Sequence, residues 1–175
     1  MSRISDGATC TDKLELYRIE DGEWIKEVET NNTPSVLQRA LMKLGLYNCA
    51  GDAMTNYALH DLALYTSTKY VYASVGTTGT NGTNYTYDDL LYPVMTRFTA
   101  TPALVNTYST EPTTHPDTVQ YTIIATSDGD YTLAEAGLHT TLTGGNMGSR
   151  QVFGSWAVTT GETFGMIWKI IYGRG

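Results

Sequence analysis

Apolar and polar residues alternate through LELYRIE (residues 14–20) and through EWIKEVE (residues 23–29), and Asp21-Gly22 separates the two runs. A period of two marks a half-buried strand, and an Asp-Gly pair supplies the two left-handed positions of a tight hairpin turn. The period then changes. Val36, Leu37, Ala40, Leu41 and Leu44 share one helical face, with Gln38, Arg39 and Lys43 opposite. Thr33 as cap, Pro34 at the first helical position and Gly45 at the end predict an α-helix near residues 34–45. From Tyr57 the period of two returns. YALHDLALY, with Leu59, Leu62 and Leu64, predicts a strand, and so does KYVYASV, with further strands expected over residues 94–100, 104–108 and 118–125.

The closing stretch, residues 131–172, holds three more β segments. One runs into Glu135-Ala136-Gly137-Leu138, one passes through Val152-Phe153, and a long one ends the chain, joined by a Gly-rich turn and a turn centred on Gly161. About seven to nine short strands with one helix and no break in composition predict a mainly β protein. The expected architecture is a single-domain antiparallel β-sandwich or jelly-roll-like fold over residues 13–175. The polar, non-periodic residues 1–12 are expected to form an irregular N-terminal arm.

A chain of 175 residues buries enough core to stand without metal or disulfide staples. Only 17% of residues are charged, and Thr, Ser, Asn, Gly and Tyr fill the difference, which suits a surface packed against other subunits. The net charge is -7, and the 11 Lys and Arg are scattered. A nucleic-acid binder needs clustered cations, so nucleic acid is not expected as a partner, nor is an anionic membrane. No window reaches the length of a membrane span, and no apolar run follows Met1 to Asp6, so neither a span nor a signal peptide is expected. Cys10 and Cys49 form no C-x-x-C motif; two free thiols and a single bridge are both open.

Candidate chemistry is sparse. His60 and Asp61, if neighbours on a strand, point to opposite faces and share no proton relay. His115 and His139 have no ligand spacing with each other or with His60, so no metal site is expected. Asp128 and Asp130 flank Gly129 as an acidic turn but lack the further oxygen ligands of a Ca²⁺ loop. Residues 76–86 (GTTGTNGTNYT) are Gly-rich but lack the G-K-[ST] ending of a phosphate loop. They read as a contact loop, with Thr77, Thr78, Thr80, Asn81, Asn84 and Tyr85 as candidate contact residues and His115 on a second loop. Glu135, an acid in an apolar segment, needs a partner to stay ionised. It reads as one half of a structural polar pair with Arg97, Arg150 being the other arginine in reach of the same role. No cofactor and no enzymatic activity are expected. The 13 Tyr and 3 Trp admit sugar or protein binding if exposed.

The order of these elements resembles a diverse family of tailed-bacteriophage virion proteins. The matching residues are Glu135-Ala136-Gly137-Leu138, Gly144-Gly145-Asn146-Met147, Arg150, Phe153, Gly161-Glu162-Thr163 and Ile167-Trp168-Lys169-Ile170. Asn31 or Asn32, the leucines of residues 37–44 and Arg97 precede them in the same order. The resemblance implies a non-enzymatic structural component of a virion: capsid decoration, neck or collar, or tail. It also implies assembly in the host cytoplasm with other virion proteins as partners and a homo-oligomeric state. The rival reading is a receptor- or glycan-binding adhesin module of a phage tail or fibre.

Overall fold

The computed structural model describes residues 8–32, 56–77, 89–90, 92–106 and 116–174. Among them the chain is mainly β, and two antiparallel sheets pack as a sandwich. The strands are β1 (Ala8–Glu20), β2 (Glu23–Asn32), β3 (Tyr72–Gly76), β4 (Pro93–Thr99) and β5 (Thr101–Val105). They continue with β6 (Thr118–Thr126), β7 (Tyr131–His139), β8 (Met147–Val158) and β9 (Thr163–Arg174), and one helix, α1 (Asn56–Lys69), precedes β3. One sheet has the order β2-β1-β9-β6-β5 and the other β4-β3-β7-β8.

The first hairpin forms as its sequence requires: Asp21 (φ 51°) and Gly22 (φ 83°) both take the left-handed conformation that closes β1 on β2. Gly161 (φ 83°) sits in the turn that carries the chain from β8 across to β9 in the other sheet. The closing stretch therefore serves both layers. β9 lies at the centre of the five-stranded sheet, between β1 and β6. Its alternate residues Phe164, Met166, Trp168, Ile170 and Tyr172 are buried in the core, as are Leu14 and Leu16 of β1 and Val119, Tyr121, Ile123 and Ala125 of β6. Phe164 bridges the layers, meeting Phe98 of β4 and Trp156 of β8 edge-on at centroid distances of 6.0 and 5.6 Å.

Two expectations change. The strand expected from Tyr57 is helix α1, because the alternation of Leu62 and Leu64 is accidental. Leu62, Ala63, Thr66 and Ser67 are buried at helical spacing while Leu64 is exposed. The helix packs against β5, β6 and β9, where the Tyr172 and Tyr121 hydroxyls bond Thr66 Oγ1 (2.5 Å) and the Thr66 carbonyl (2.8 Å). The irregular arm is also shortened: residues 8–12 belong to β1, paired with the end of β9. The helix predicted near residues 34–45, and Cys49, lie outside the described residues.

This early part of β1 brings in Asp12. In register with Leu14 and Leu16, its side chain points inward and is 1% exposed. Its carboxylate accepts hydrogen bonds from Ser149 Oγ of β8 and Trp168 Nε1 of β9, and its carbonyl accepts one from Gln151 Nε2 at 3.1 Å. These contacts tie both sheets to one residue. Among the described residues no cation pairs with it. Burial outweighs the hydrogen bonds and pushes the carboxyl up from 3.8 to about 6.

A folded-state pKa above the unfolded one means that stability falls as pH rises from about 4 to about 6, by on the order of 3 kcal/mol, and stays lower above that. Asp12→Asn keeps the shape and the acceptor for Trp168 but cannot ionise. Chemical denaturation at a series of pH values is expected to show this variant gaining on the wild type through that window and holding its advantage at neutral pH. An unchanged difference across the window would refute the buried ionisation.

Candidate functional site

The densest polar cluster outside the core lies on the outer face of the four-stranded sheet. An irregularity in β7 creates it. The register with β8 shifts between Leu133 and Glu135, so Leu133 shares the inner face with Ala136 and Leu138, while Glu135, Gly137 and His139 turn outward. Without that shift Glu135 would follow Leu133 into the core. Asp89, Leu90 and Tyr92 lie at this outer face, with Leu90 buried over Gly137. A Cβ on Gly137 would lie 2.9 Å from both His139 Nε2 and Met147 Sδ, so the position is filled by its neighbours.

Glu135 is fully buried, and its Oε2 receives both Arg150 Nη2 (2.5 Å) and Arg150 Nε (2.7 Å) from β8. Among the described residues its Oε1 has no hydrogen-bond partner, and a Cβ on Gly76 would come within 2.6 Å of it. Arg97 of β4 is engaged elsewhere. It pairs with Asp89 at 2.8 Å and donates from Nη1 to the carbonyls of Thr141 (2.8 Å) and Gly144 (2.5 Å). The expected pairing of Glu135 with Arg97 is thus corrected: Glu135 pairs with Arg150, its neighbour across β7 and β8, and Arg97 clasps the loop of residues 140–146.

Ser74, His139 and Asp89 bring a serine, an imidazole and a carboxylate together. Ser74 Oγ is 2.7 Å from His139 Nε2, and Asp89 Oδ1 is 3.8 Å from the same nitrogen. A nucleophile relay needs the carboxylate on the other nitrogen, and His139 Nδ1 is buried with no partner among the described residues. Ser74 and His139 are also 2% and 0% exposed, so substrate cannot reach them. The arrangement braces β3 against β7. Burial and the nearby Arg97 charge, opposed by Asp89, hold the imidazole down at about 4 from 6.5.

The remaining sequence candidates fall apart in space. Thr77 follows the end of β3, exposed, with its N–H donating to the Tyr92 carbonyl at 3.2 Å. Thr78, Thr80, Asn81, Asn84, Tyr85 and His115 lie outside the described residues. His60 is on a helix rather than a strand, its Nδ1 3.2 Å from the Pro116 carbonyl, and Asp61 is exposed. Asp128 accepts the Tyr131 hydroxyl (2.9 Å) beside its own turn, while Asp130 accepts the Thr160 N–H and hydroxyl (2.8 and 2.9 Å) from the turn between β8 and β9, so the two carboxylates are committed to different partners. No group of acids, histidines and cysteines able to hold a metal occurs among the described residues. Sequence reasoning missed Asp12 and the Ser74–His139 pair. The first was visible in the alternation with Leu14 and Leu16; the second joins residues 65 positions apart and left no local signal.

No family model, no curated protein and no solved structure matches the chain.

Two outcomes follow from this geometry. Removing Arg150 leaves a buried carboxylate uncompensated, so Arg150→Met is expected to cost about 3–5 kcal/mol in chemical denaturation. Replacing both partners, with Glu135→Gln added, is expected to recover a large part of that loss. A double variant no better than the single one would show that the pair is not the source of the cost. For His139 the folded pKa lies below the unfolded one, so its stabilising effect is complete above about 6.5 and is lost as pH falls toward 4. That slope opposes the one from Asp12. His139→Gln is expected to remove the acid loss and leave a protein whose denaturation midpoint rises steadily between neutral pH and mild acid.

Proposed function

We propose that this protein is a non-enzymatic structural component of a tailed-phage virion, a decoration, neck or tail protein that acts through contacts between subunits. The observation that carries the reading is the Glu135–Arg150 ion pair. The Glu-Ala-Gly-Leu segment and the basic residue after the Gly-rich turn are two polar elements of the closing signature. They are partners in space across β7 and β8. An acid that could have served as a catalytic group is held by a guanidinium on one oxygen and sealed by Gly76 on the other. Arg97, also in the order of the signature, spends its donors on fixing the loop of residues 140–146. Residues 141–146 of that loop are exposed and include Leu142, half exposed at the tip, which suits lateral contact.

The reading is tested by purifying phage particles from cells that express the chain and quantifying it against the major capsid protein by mass spectrometry. Incorporation in a fixed ratio that survives repeated density-gradient purification is expected. Particles assembled without the chain, or a chain that washes off at the first gradient, would contradict it.

A further inference from the structure

Trp24 of β2 lies flat over Gly165 on the outer face of the five-stranded sheet; a Cβ at Gly165 would come within 2.4 Å of its ring. Its edge meets Tyr17 at a centroid distance of 5.4 Å. The register places Tyr17, Gly165 and Ile124 in one cross-strand row, and Ile124 is 58% exposed. The next row is Glu15, Ile167 and Thr122, and the one after is Lys13, Lys169 and Gln120. A rigid aromatic plate beside an exposed isoleucine is the composition of an association hot spot.

Edge-to-edge growth of the sheets is guarded. β2 carries Glu23, Lys26, Glu27 and Glu29, and β5 is five residues long and contains Pro102. β4 opens with Pro93 and has Met95 at φ 66°, while the pairing of β8 with β7 is made irregular by the register shift between Leu133 and Glu135. Among the described residues a broad face is left. Five strands at about 4.8 Å spacing and about ten residues in length give on the order of 800 Å², the area one partner contributes to a stable interface.

Charge decides the occupant and its direction. The chain carries -7 overall, so a second copy is repelled except where charge is balanced. On this face Lys13 and Lys26 both pair with Glu15 and Glu29, leaving Lys169 in the same row as an additional cation. The turns at one end of the sandwich concentrate carboxylates instead: Glu20, Asp21, Glu23, Asp128 and Asp130. Parallel stacking would set two such ends together. Antiparallel stacking sets each acidic end toward the lysine row of the other copy.

We propose that the outer face of the five-stranded sheet is a self-association surface on which a second copy of this chain packs antiparallel, through Trp24, Tyr17, Ile124 and Ile167. The inference deepens the virion reading and rests on it for the presence of many copies. Sedimentation velocity over a range of concentrations tests it. The wild type is expected to form a dimer, and Ile124→Glu to weaken it at least about tenfold. Lys169→Glu is expected to weaken it as well and to be rescued by adding Glu23→Lys. Leu64→Glu, at an exposed position of α1 away from this face, is expected to leave it unchanged. Unaltered thermal midpoints at dilution show that the variants fold. A wild type that stays monomeric at about 100 µM would overturn the surface. So would a dimer indifferent to Ile124→Glu, or a glycan that binds the monomer and is lost with Trp24→Ala. Incorporation into particles is read in parallel: a chain that joins particles but fails these tests overturns the surface alone, and one that neither joins nor dimerises overturns both proposals.

Discussion

Two sheets with apolar inner faces attract one another without direction, so something must fix how they sit, and here a buried carboxylate does much of that. Asp12 on β1 receives Ser149 from the facing sheet and Trp168 from the neighbouring strand, while Gln151 reaches its carbonyl. Each bond has one geometry that satisfies it, whereas sliding one sheet along the other would leave a buried donor or acceptor without a partner. The loss for such an orphaned group is about 1–3 kcal/mol, large beside the net stability of a domain. Desolvation makes Asp12 costly in itself, so its contribution is to registration more than to stability. The helix adds a second tie at the same core through the Thr66, Tyr121 and Tyr172 hydroxyls and carbonyl.

The outer faces are built differently from the core and from each other. On the four-stranded sheet the polar side chains are paired and covered: Glu135 by Arg150, Arg97 by Asp89 and the 140–146 loop, His139 by Ser74. On the five-stranded sheet Ile124 is exposed beside the half-buried Tyr17, Trp24 and Ile167, with Trp24 held in place by the absence of a side chain at Gly165. The first arrangement stiffens the domain, and the second offers a surface.

Much of the architecture was readable from local pattern. Asp21-Gly22, the Gly161 turn and the alternation in β9 act over a few residues, and each appears where its chemistry requires. The error at residues 57–65 arose because Leu62 and Leu64 satisfy a period of two while the residues that are buried, Leu62, Ala63, Thr66 and Ser67, follow the helical period; packing against β6 and β9 decided between them. The polar pairs were harder. Both arginines are compatible with Glu135 in sequence, and only the strand register, with its shift at Ala134, selects Arg150. Ser74 and His139 meet solely because β3 lies beside β7, a fact no local pattern contains.

The registering role of Asp12 depends on its being an uncompensated carboxyl inside the sandwich, and that property is directly observable. Carbon-13 labelling of the aspartate carboxyl groups and titration by NMR from acid to neutral pH, with Asp12→Asn to assign the signal, reads its ionisation in the folded protein. A midpoint near 6 is predicted. A midpoint at the ordinary value of 3.8 would mean that water or a cation reaches the group, and would contradict the account of how the two sheets are joined.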